Sequence, residues 1–480
     1  MNDILTACGP ELLLLGAAAV ITVLESLWPS RGLRVKAFIG LVALAGAFLL
    51  LPGTGFVSPE LLVGLWTGDR LSVVFKLVIL LTATLSLFMS VEEIGKRSSA
   101  GGEFVILVLL AAVGMMIMVS GIDLIVILLG LELMAVSFYI LAGFTWFRQS
   151  TAEGALKYVI TGLFASALLM YGISLVYGAT GTTGLERLAV VARGGAADSL
   201  VLAGLAFIAC GLAFKMGAAP FQMWMPDVLE GAPTPVAGYL AVGPKVAVLA
   251  VATRVFAVGF PGWFALWGPV WWSLAALTVL WGNLAALAQS SLKRMLAYSS
   301  VAHVGYLLIA VVSSGNNLEA SGPLAFYLLA YAFMNLGAFG ALLWFQRATG
   351  TELSWRDLAG FGRRYPLIAA VFALFLFSLA GIPPTAGFSA KFWIFLEGWR
   401  AGFHGLVLVA LLGSAIGAFY YLRVIYALYL LPDPEGAALD SIPAGFSLLT
   451  YAILLAAIGT AIAGVVPRFF IELAAQAIIG

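Results

Sequence analysis

Of the 480 residues, 62% are apolar and 10% are charged, and the net charge is +1. A soluble domain carries about 25% charged residues, so most of this surface does not face water, and the near-zero balance argues against a nucleic-acid partner or a polyanionic substrate. The two cysteines, Cys8 and Cys210, stand far apart with no CxxC pairing, and His303 and His404 are distant from both, so a disulfide framework, zinc site or iron–sulfur cluster is not expected.

A bilayer core about 30 Å thick needs about 20 apolar residues per helical crossing. With charged and Gly/Pro-rich breaks as punctuation, the chain divides into fourteen spans. They lie near 11–28, 37–53, 71–91, 103–119, 121–143, 155–178, 199–230, 236–258, 267–289, 294–314, 322–346, 366–399, 404–430 and 446–466. The first, around Leu12–Leu27, lacks a basic leader and a cleavage site and is expected to remain as a membrane helix. No stretch is hydrophilic enough to fold as a separate soluble domain. The expected fold is a single all-α polytopic membrane domain over 1–480, with peripheral helices in 1–120, a transport core in 121–430 and a C-terminal helix in 431–480.

Basic residues in loops orient such a chain. Loops after odd-numbered spans hold Arg31, Arg34, Lys36, Lys96, Arg97, Arg148, Lys157, Lys293, Arg294, Arg347, Arg356, Arg363 and Arg364, thirteen in all. The other side holds six: Arg70, Arg187, Arg193, Arg254, Arg400 and Arg468. That asymmetry predicts both termini outside, in the periplasm of a Gram-negative cell.

Spans 7 and 12 are too long for one straight crossing, and each is interrupted: FKMGAAPFQMWMPDVLEGAP over 214–233 and SLAGIPPTAGFSAKFWIF over 378–395. Proline removes a backbone donor and clashes with the preceding turn, and in lipid such a break persists only inside protein or beside a polar cavity. A matched pair of interrupted helices marks an inverted-repeat transporter. Spans 4–8 and 9–13 form two five-helix units with the broken helix fourth in each, and an odd count makes the second unit enter the membrane in the opposite sense. Simple proline kinks without transport are the alternative.

Five basic residues fall inside spans: Lys76, Lys215, Lys245, Lys391 and Arg423. An ionisable group at the bilayer centre costs at least about 2.5–3.5 kcal/mol, so each retained one is a functional candidate. Lys76 and Arg423 lie near span ends and are read as snorkelling to an interface. Lys245, about ten residues into its span, is about 15 Å from either end. Lys215 precedes the first break and Lys391 follows the second. Glu132 lies about ten residues into span 5 with no basic residue nearby in sequence, so its partner comes from another helix, and Lys215 is the expected one. Desolvation favours a neutral lysine while a nearby carboxylate favours the ammonium, so a carboxylate that moves loads and unloads the proton. The expected path runs from the Glu132–Lys215 pair through Lys245 to Lys391. His303, about ten residues into span 10 and at roughly the place Glu132 holds in span 5, is either a further relay or a satisfied structural histidine. Lys157 and Lys293 read as interface residues, with a relay role as the alternative.

The runs GLELMAVSFYIL, ALKYVITGLFASALLMYGISLVYGATG, FKMGAAPFQMWMPDVLEGAPTPVAGYLAVGPKVA, SLKRMLAYSSVAHVGYLL and GIPPTAGFSAKFWIF resemble the antiporter-like proton-pumping subunits of respiratory complex I. The likeness runs from about residue 60 to the C-terminus and is strongest between 121 and 400. M-like members are expected to carry glutamate at the span-12 station, where this chain has Lys391. L-like members add a long lateral helix, whereas this chain ends at Gly480 soon after span 14, and TPVAGYLAVGPK and LKRMLAYSSVAH are closest to the N-like branch. The resemblance implies that Glu132, Lys215, Lys245 and Lys391 hold the proton-path positions. It also implies that NADH, flavin (FMN), iron–sulfur clusters and quinone belong to partner subunits, with other membrane subunits and the lipid bilayer as partners and the bacterial inner membrane as location. Two other readings remain at this point, a subunit of a multisubunit cation/proton antiporter and a membrane scaffold that transports nothing.

Overall fold

The computed structural model describes residues 7–28, 32–54, 64–97, 101–145, 147–195, 197–315, 320–432, 447–468 and 470. Of the basic residues counted for orientation, Arg31 lies outside the described residues, as do the side chains of Lys96 and Arg97; so does most of 431–480 beyond the last span. Thirteen helices among the described residues are long and apolar enough to cross a membrane. The remaining crossing, span 12, is built from two shorter helices, Pro366–Ala380 and Ala386–Arg400. Span 7 is likewise split, into Ser199–Met216 and Trp224–Gly231. All fourteen expected spans are therefore present.

Spans 8, 10 and 11 form the centre. Span 8 is buried at every residue of Thr234–Thr253 and continues as a π-helical turn, Arg254–Gly259. Span 10, Leu292–Ser314, and span 11, Ser321–Thr349, are buried along nearly their whole length. Polar groups on these three helices can be served only by protein or enclosed water. Neighbouring helices approach closely where glycine leaves room, the usual device where lipid offers no hydrophobic driving force. A Cβ on Gly114 of span 4 (Gly101–Ser120) would come within 2.5 Å of the Met134 backbone nitrogen on span 5 (Leu124–Ala142). One on Gly282 of span 9 (Phe264–Leu287) would meet the Ala302 nitrogen of span 10 at 2.4 Å.

Two strand-like bridges fix the repeat relationship. Before span 5, Asp123 pairs with Gly184, and Leu124 and Leu185 donate to Thr183 and Ile122 at 3.0 and 2.9 Å. Before span 10, Ser291 pairs with Ser354, and Leu292 and Trp355 donate to Leu353 and Ser290 at 3.0 and 3.1 Å. Asp123 caps span 5 through the Ile125 amide, and Ser291 caps span 10 through the Arg294 amide. The first bridge joins the loops before spans 5 and 7; the second joins those before spans 10 and 12. Corresponding bridges five spans apart lie on opposite membrane faces, as an inverted repeat requires.

The caps also correct one expectation. Glu132 lies nine residues past Asp123, and nine past Ser291 is Ser300, one turn before His303. Ser300 is thus the repeat counterpart of Glu132.

Outside the repeats, spans 1 (Gly9–Leu27), 2 (Leu33–Thr54) and 3 (Arg70–Arg97) pack together and against span 4. Asp69, just before span 3, accepts two bonds of 2.8 and 2.9 Å from the Arg254 guanidinium at the end of span 8. Burial alone would raise the Asp69 carboxyl above its usual value, but the Arg254 charge and hydrogen bonds outweigh it and hold it below. Lys76 does not snorkel. It is fully buried, 2.8 Å from Glu11 of span 1 and 4.9 Å from the centre of the Trp66 ring. Glu11, in the first turn of its span, points inward, which no pattern in the sequence signalled. Arg423 reaches the end of span 9, donating to the Leu287 and Gln289 carbonyls at 3.1 and 2.9 Å.

Candidate functional site

In each broken helix the interruption begins at a glycine in the left-handed region, Gly217 (φ 74) and Gly381 (φ 83), a conformation that side chains with a Cβ rarely adopt. The bare face of Gly217 receives Met225, and that of Gly381 receives the stem of Lys391. The exposed carbonyls at the end of each first half-helix are then covered by a donor from the second. Trp224 Nε1 donates to Phe214 O at 3.1 Å, and Lys391 Nζ donates to Leu379 O and Ala380 O at 3.0 Å each. A cation at a helix C-terminus also meets the negative end of the helix dipole. Ser414 of span 13 (His404–Leu430) accepts a third bond from Lys391 at 3.0 Å.

Lys215 sits in the last turn before the first break. Its Nζ donates to the Tyr139 hydroxyl at 3.2 Å and to Gly162 O at 3.4 Å, and lies 5.6 Å from the centre of the Tyr139 ring. Among the described residues no ion pair within 4 Å joins it to Glu132. Glu132 acts electrostatically on both Lys215 and Tyr139, and its Oε1 is buried without a hydrogen-bond partner among the described residues. The Tyr139 hydroxyl thus stands beside the Lys215 ammonium where a direct pair with Glu132 was expected.

Lys245 is 1% exposed. Its Nζ donates to the Ser300 hydroxyl in a very short contact and to Ser300 O at 3.0 Å, and it lies 3.8 Å from Met225 Sδ. Met225 also fills the space over Gly217, so the break beside Lys215 touches the central lysine. The Tyr331 hydroxyl donates to Ser300 Oγ at 2.8 Å. Beyond it the His303 ring lies 5.0 Å from that of Tyr331. His303 Nδ1 is 2.7 Å from the Tyr327 hydroxyl and Nε2 is 3.4 Å from the Tyr421 hydroxyl, which also bonds Ser299 closely. Tyr306 is next, its ring 5.7 Å from His303 and its face 5.0 Å from Lys391 Nζ. Its hydroxyl accepts from Asn283 at 2.9 Å.

Lys245, His303 and Lys391 are thus joined by hydroxyls and ring faces from spans 10, 11 and 13. Each amine, imidazole and hydroxyl can both give and take a proton in one of its states. Sequence reasoning found the lysines and the histidine but missed Tyr139, Tyr306, Tyr327, Tyr331, Tyr421 and Ser300. A lysine inside an apolar run stands out, whereas tyrosine and serine do not. Among the described residues no group of three His, Cys, Asp or Glu side chains is placed to hold a metal ion.

A fourteen-span fold of two inverted repeats, each with a broken helix beside a buried lysine, defines an antiporter-like membrane subunit. Residues 121–417 match the family described as NADH:quinone oxidoreductase/Mrp antiporter, TM. Within it, the chain belongs to the family of NADH-quinone oxidoreductase subunit N. It is similar to that subunit of Trichlorobacter lovleyi, 38% identical over 98% of this chain and 96% of the relative. It is also similar to subunit N 2 of Rhizobium meliloti, 41% identical over 98% and 97%. A chain of respiratory complex I from Thermus thermophilus superposes with a TM-score of 0.81 at 34% identity, covering 97% of this chain and 99% of that one. A chain of the Mrp complex from a Dietzia species shares the fold alone, with a TM-score of 0.83 at 21% identity over 99% and 97%.

Proposed function

We propose that this chain is the proton-translocating membrane subunit N of an NADH–quinone oxidoreductase, with a path formed by Glu132, Lys215, Lys245, His303 and Lys391. The single observation that carries the path is the line of buried groups from Lys245 through Ser300, Tyr331, His303 and Tyr306 to Lys391. Three lysines no more than 5% exposed are costly to keep in a membrane domain, and a static scaffold gains nothing from them. Residues 121–430 are the translocating core, 1–120 the peripheral unit and 431–480 its C-terminal closure. NADH, FMN, iron–sulfur clusters and quinone reside in partner subunits, and the energy of quinone reduction reaches this chain through neighbouring membrane subunits. The basic face is cytoplasmic in the bacterial inner membrane and both termini are periplasmic.

The test is Lys245→Ala in the assembled complex, with proton pumping measured per complex in membrane vesicles. Pumping should fall at least a hundredfold, the low end of what a positioned proton carrier contributes, about 10²–10⁴, with insertion and assembly retained. Pumping at the wild-type proton-to-electron ratio refutes the path and favours a scaffold. A cation/proton antiporter subunit, the second reading of the fold, instead predicts sodium- or potassium-dependent proton movement that continues without quinone turnover.

A further inference from the structure

We propose that Asn283 of span 9 is a positioning residue for Lys391: seated in a slot of span 13, it grips the Tyr306 hydroxyl and holds that ring against the ammonium. The proposal rests on the proton-translocating reading above. Asn283 is 1% exposed, and a buried amide is costly unless its hydrogen bonds are met. Here they are met. Nδ2 donates to Val279 O at 2.8 Å and to the Tyr306 hydroxyl at 2.9 Å, and Oδ1 accepts from the Tyr420 hydroxyl at 3.3 Å. A carbonyl only accepts, so Val279 O fixes which end of the amide is nitrogen. The Tyr306 oxygen therefore accepts from Asn283, and its own hydrogen is left to donate.

The amide fits because span 13 has glycine at two positions four residues apart. A Cβ on Gly413 would stand 3.0 Å from Asn283 Nδ2, and one on Gly417 would stand 2.9 Å from Oδ1. Between these glycines, Ser414 accepts from Lys391 at 3.0 Å. One stretch of span 13 thus fixes the lysine directly and, through Asn283, the ring that faces it. The centre of the Tyr306 ring is 5.0 Å from Lys391 Nζ, and the ring packs edge-on against Phe395 with 5.8 Å between centres. A ring face held against an ammonium shielded from water stabilises it; a ring that turns away withdraws that support.

The first repeat has the same helices without this polar grip. Counted from the caps Asp123 and Ser291, Gly114 corresponds to Gly282, and the residues they touch, Met134 and Ala302, correspond as well. In that register Asn283 matches Met115 and Tyr306 matches Phe138. The Met115 sulfur would lie 3.2 Å from a Cβ on Gly243 of span 8, so a thioether over a glycine serves for packing there. Phe138 has no hydroxyl to hold. The amide stands in the repeat whose matching ring faces a lysine, which packing alone does not require.

The test uses the full complex and measures assembly, thermal inactivation and pumping per assembled complex. The variants are Asn283→Ala, Gly417→Ala, the two together, Tyr306→Phe, Tyr306→Phe with Asn283→Ala, and Lys391→Ala. A Cβ on Gly417 meets nothing closer than 3.6 Å except Asn283, so Gly417→Ala should destabilise alone and restore packing beside Asn283→Ala. If Asn283 only packs spans 9 and 13, that double variant should recover both the inactivation midpoint and pumping. The positioning role predicts a recovered midpoint with pumping lowered at least about threefold, the factor carried by an average hydrogen bond between membrane helices. Tyr306→Phe, smaller by one oxygen, keeps the ring and loses only the grip, so it decides the question even where the double variant stays unstable. It should lower pumping to the same level, and adding Asn283→Ala should lower it no further. Wild-type pumping by Tyr306→Phe beside an inactive Lys391→Ala overturns the positioning role and leaves the proton path standing. Wild-type pumping by Lys391→Ala overturns both.

Discussion

Tyr139 changes what the Glu132–Lys215 pair has to do. With its hydroxyl on the Lys215 ammonium, the lysine has a partner whether or not the carboxylate is near. On the proposed path the carboxylate is the movable charge: a close carboxylate favours the ammonium and a distant one favours release of the proton. Glu132→Gln and Lys215→Met should therefore disable one shared step. The double variant should pump no worse than the poorer single one, and Tyr139→Phe should shrink the coupling between the other two. The measurement is pumping and quinone reduction across the cycle per assembled complex; effects that simply multiply would show two independent residues. At the far station, Lys391→Glu should retain more pumping than Lys391→Ala, because a carboxyl is an alternative carrier. Equal loss in the two would remove that argument. Lys215, Lys245 and Lys391 were legible in the sequence because a charge in an apolar run carries a known penalty. The tyrosines were not, because tyrosine is ordinary in a membrane helix and only packing shows which hydroxyl meets which nitrogen.

The elements that hold these residues were more legible than their register. Charged and Gly/Pro punctuation placed all fourteen spans and both breaks, since each reports directly on what a bilayer tolerates. The alignment of one repeat on the other was not readable to the residue, because it rests on the caps Asp123 and Ser291 and on backbone pairing that any side chain permits. This is why His303 stood in for Ser300 in the sequence reading. The second break has an equally specific demand. A Cβ on Gly387 would fall 1.8 Å from the Ser378 carbonyl oxygen, a backbone atom that cannot swing away, and the Gly387 amide donates to Ser378 Oγ at 3.0 Å. Gly387→Ala should destabilise the complex by about 1–3 kcal/mol, as overpacking does. Gly178→Ala, with no atom within 4 Å of the new carbon, should be neutral or slightly stabilising, helical alanine being better than glycine by about 0.5–1 kcal/mol. Thermal inactivation of the two purified variants checks this; equal midpoints would show that the break accommodates the extra carbon.

At the scale of the whole molecule, the question is how the three N-terminal spans relate to the translocating core. Asp69 and Arg254 tie the start of span 3 to the end of span 8, nine residues beyond Lys245. Behind that tie, Glu11 and Lys76 form an ion pair in which both side chains are almost wholly buried. The sequence reading put Lys76 at an interface because it lies six residues into its span, but Trp66 and Glu11 close over it there. Two opposed roles predict different results. As a structural pair outside the repeats, it should obey the asymmetry of buried ion pairs. Removing one partner strands a charge at a cost of about 3–5 kcal/mol, whereas replacing both by apolar residues of similar size is often neutral or stabilising. Glu11→Leu and Lys76→Met should each lower the amount of assembled complex, and the double variant should recover it. Because the pair lies outside spans 4–13, the recovered complex should pump at the wild-type ratio. If the double variant assembles fully and reduces quinone but does not pump, Glu11 and Lys76 carry protons themselves. The translocating core would then have to extend into residues 1–120.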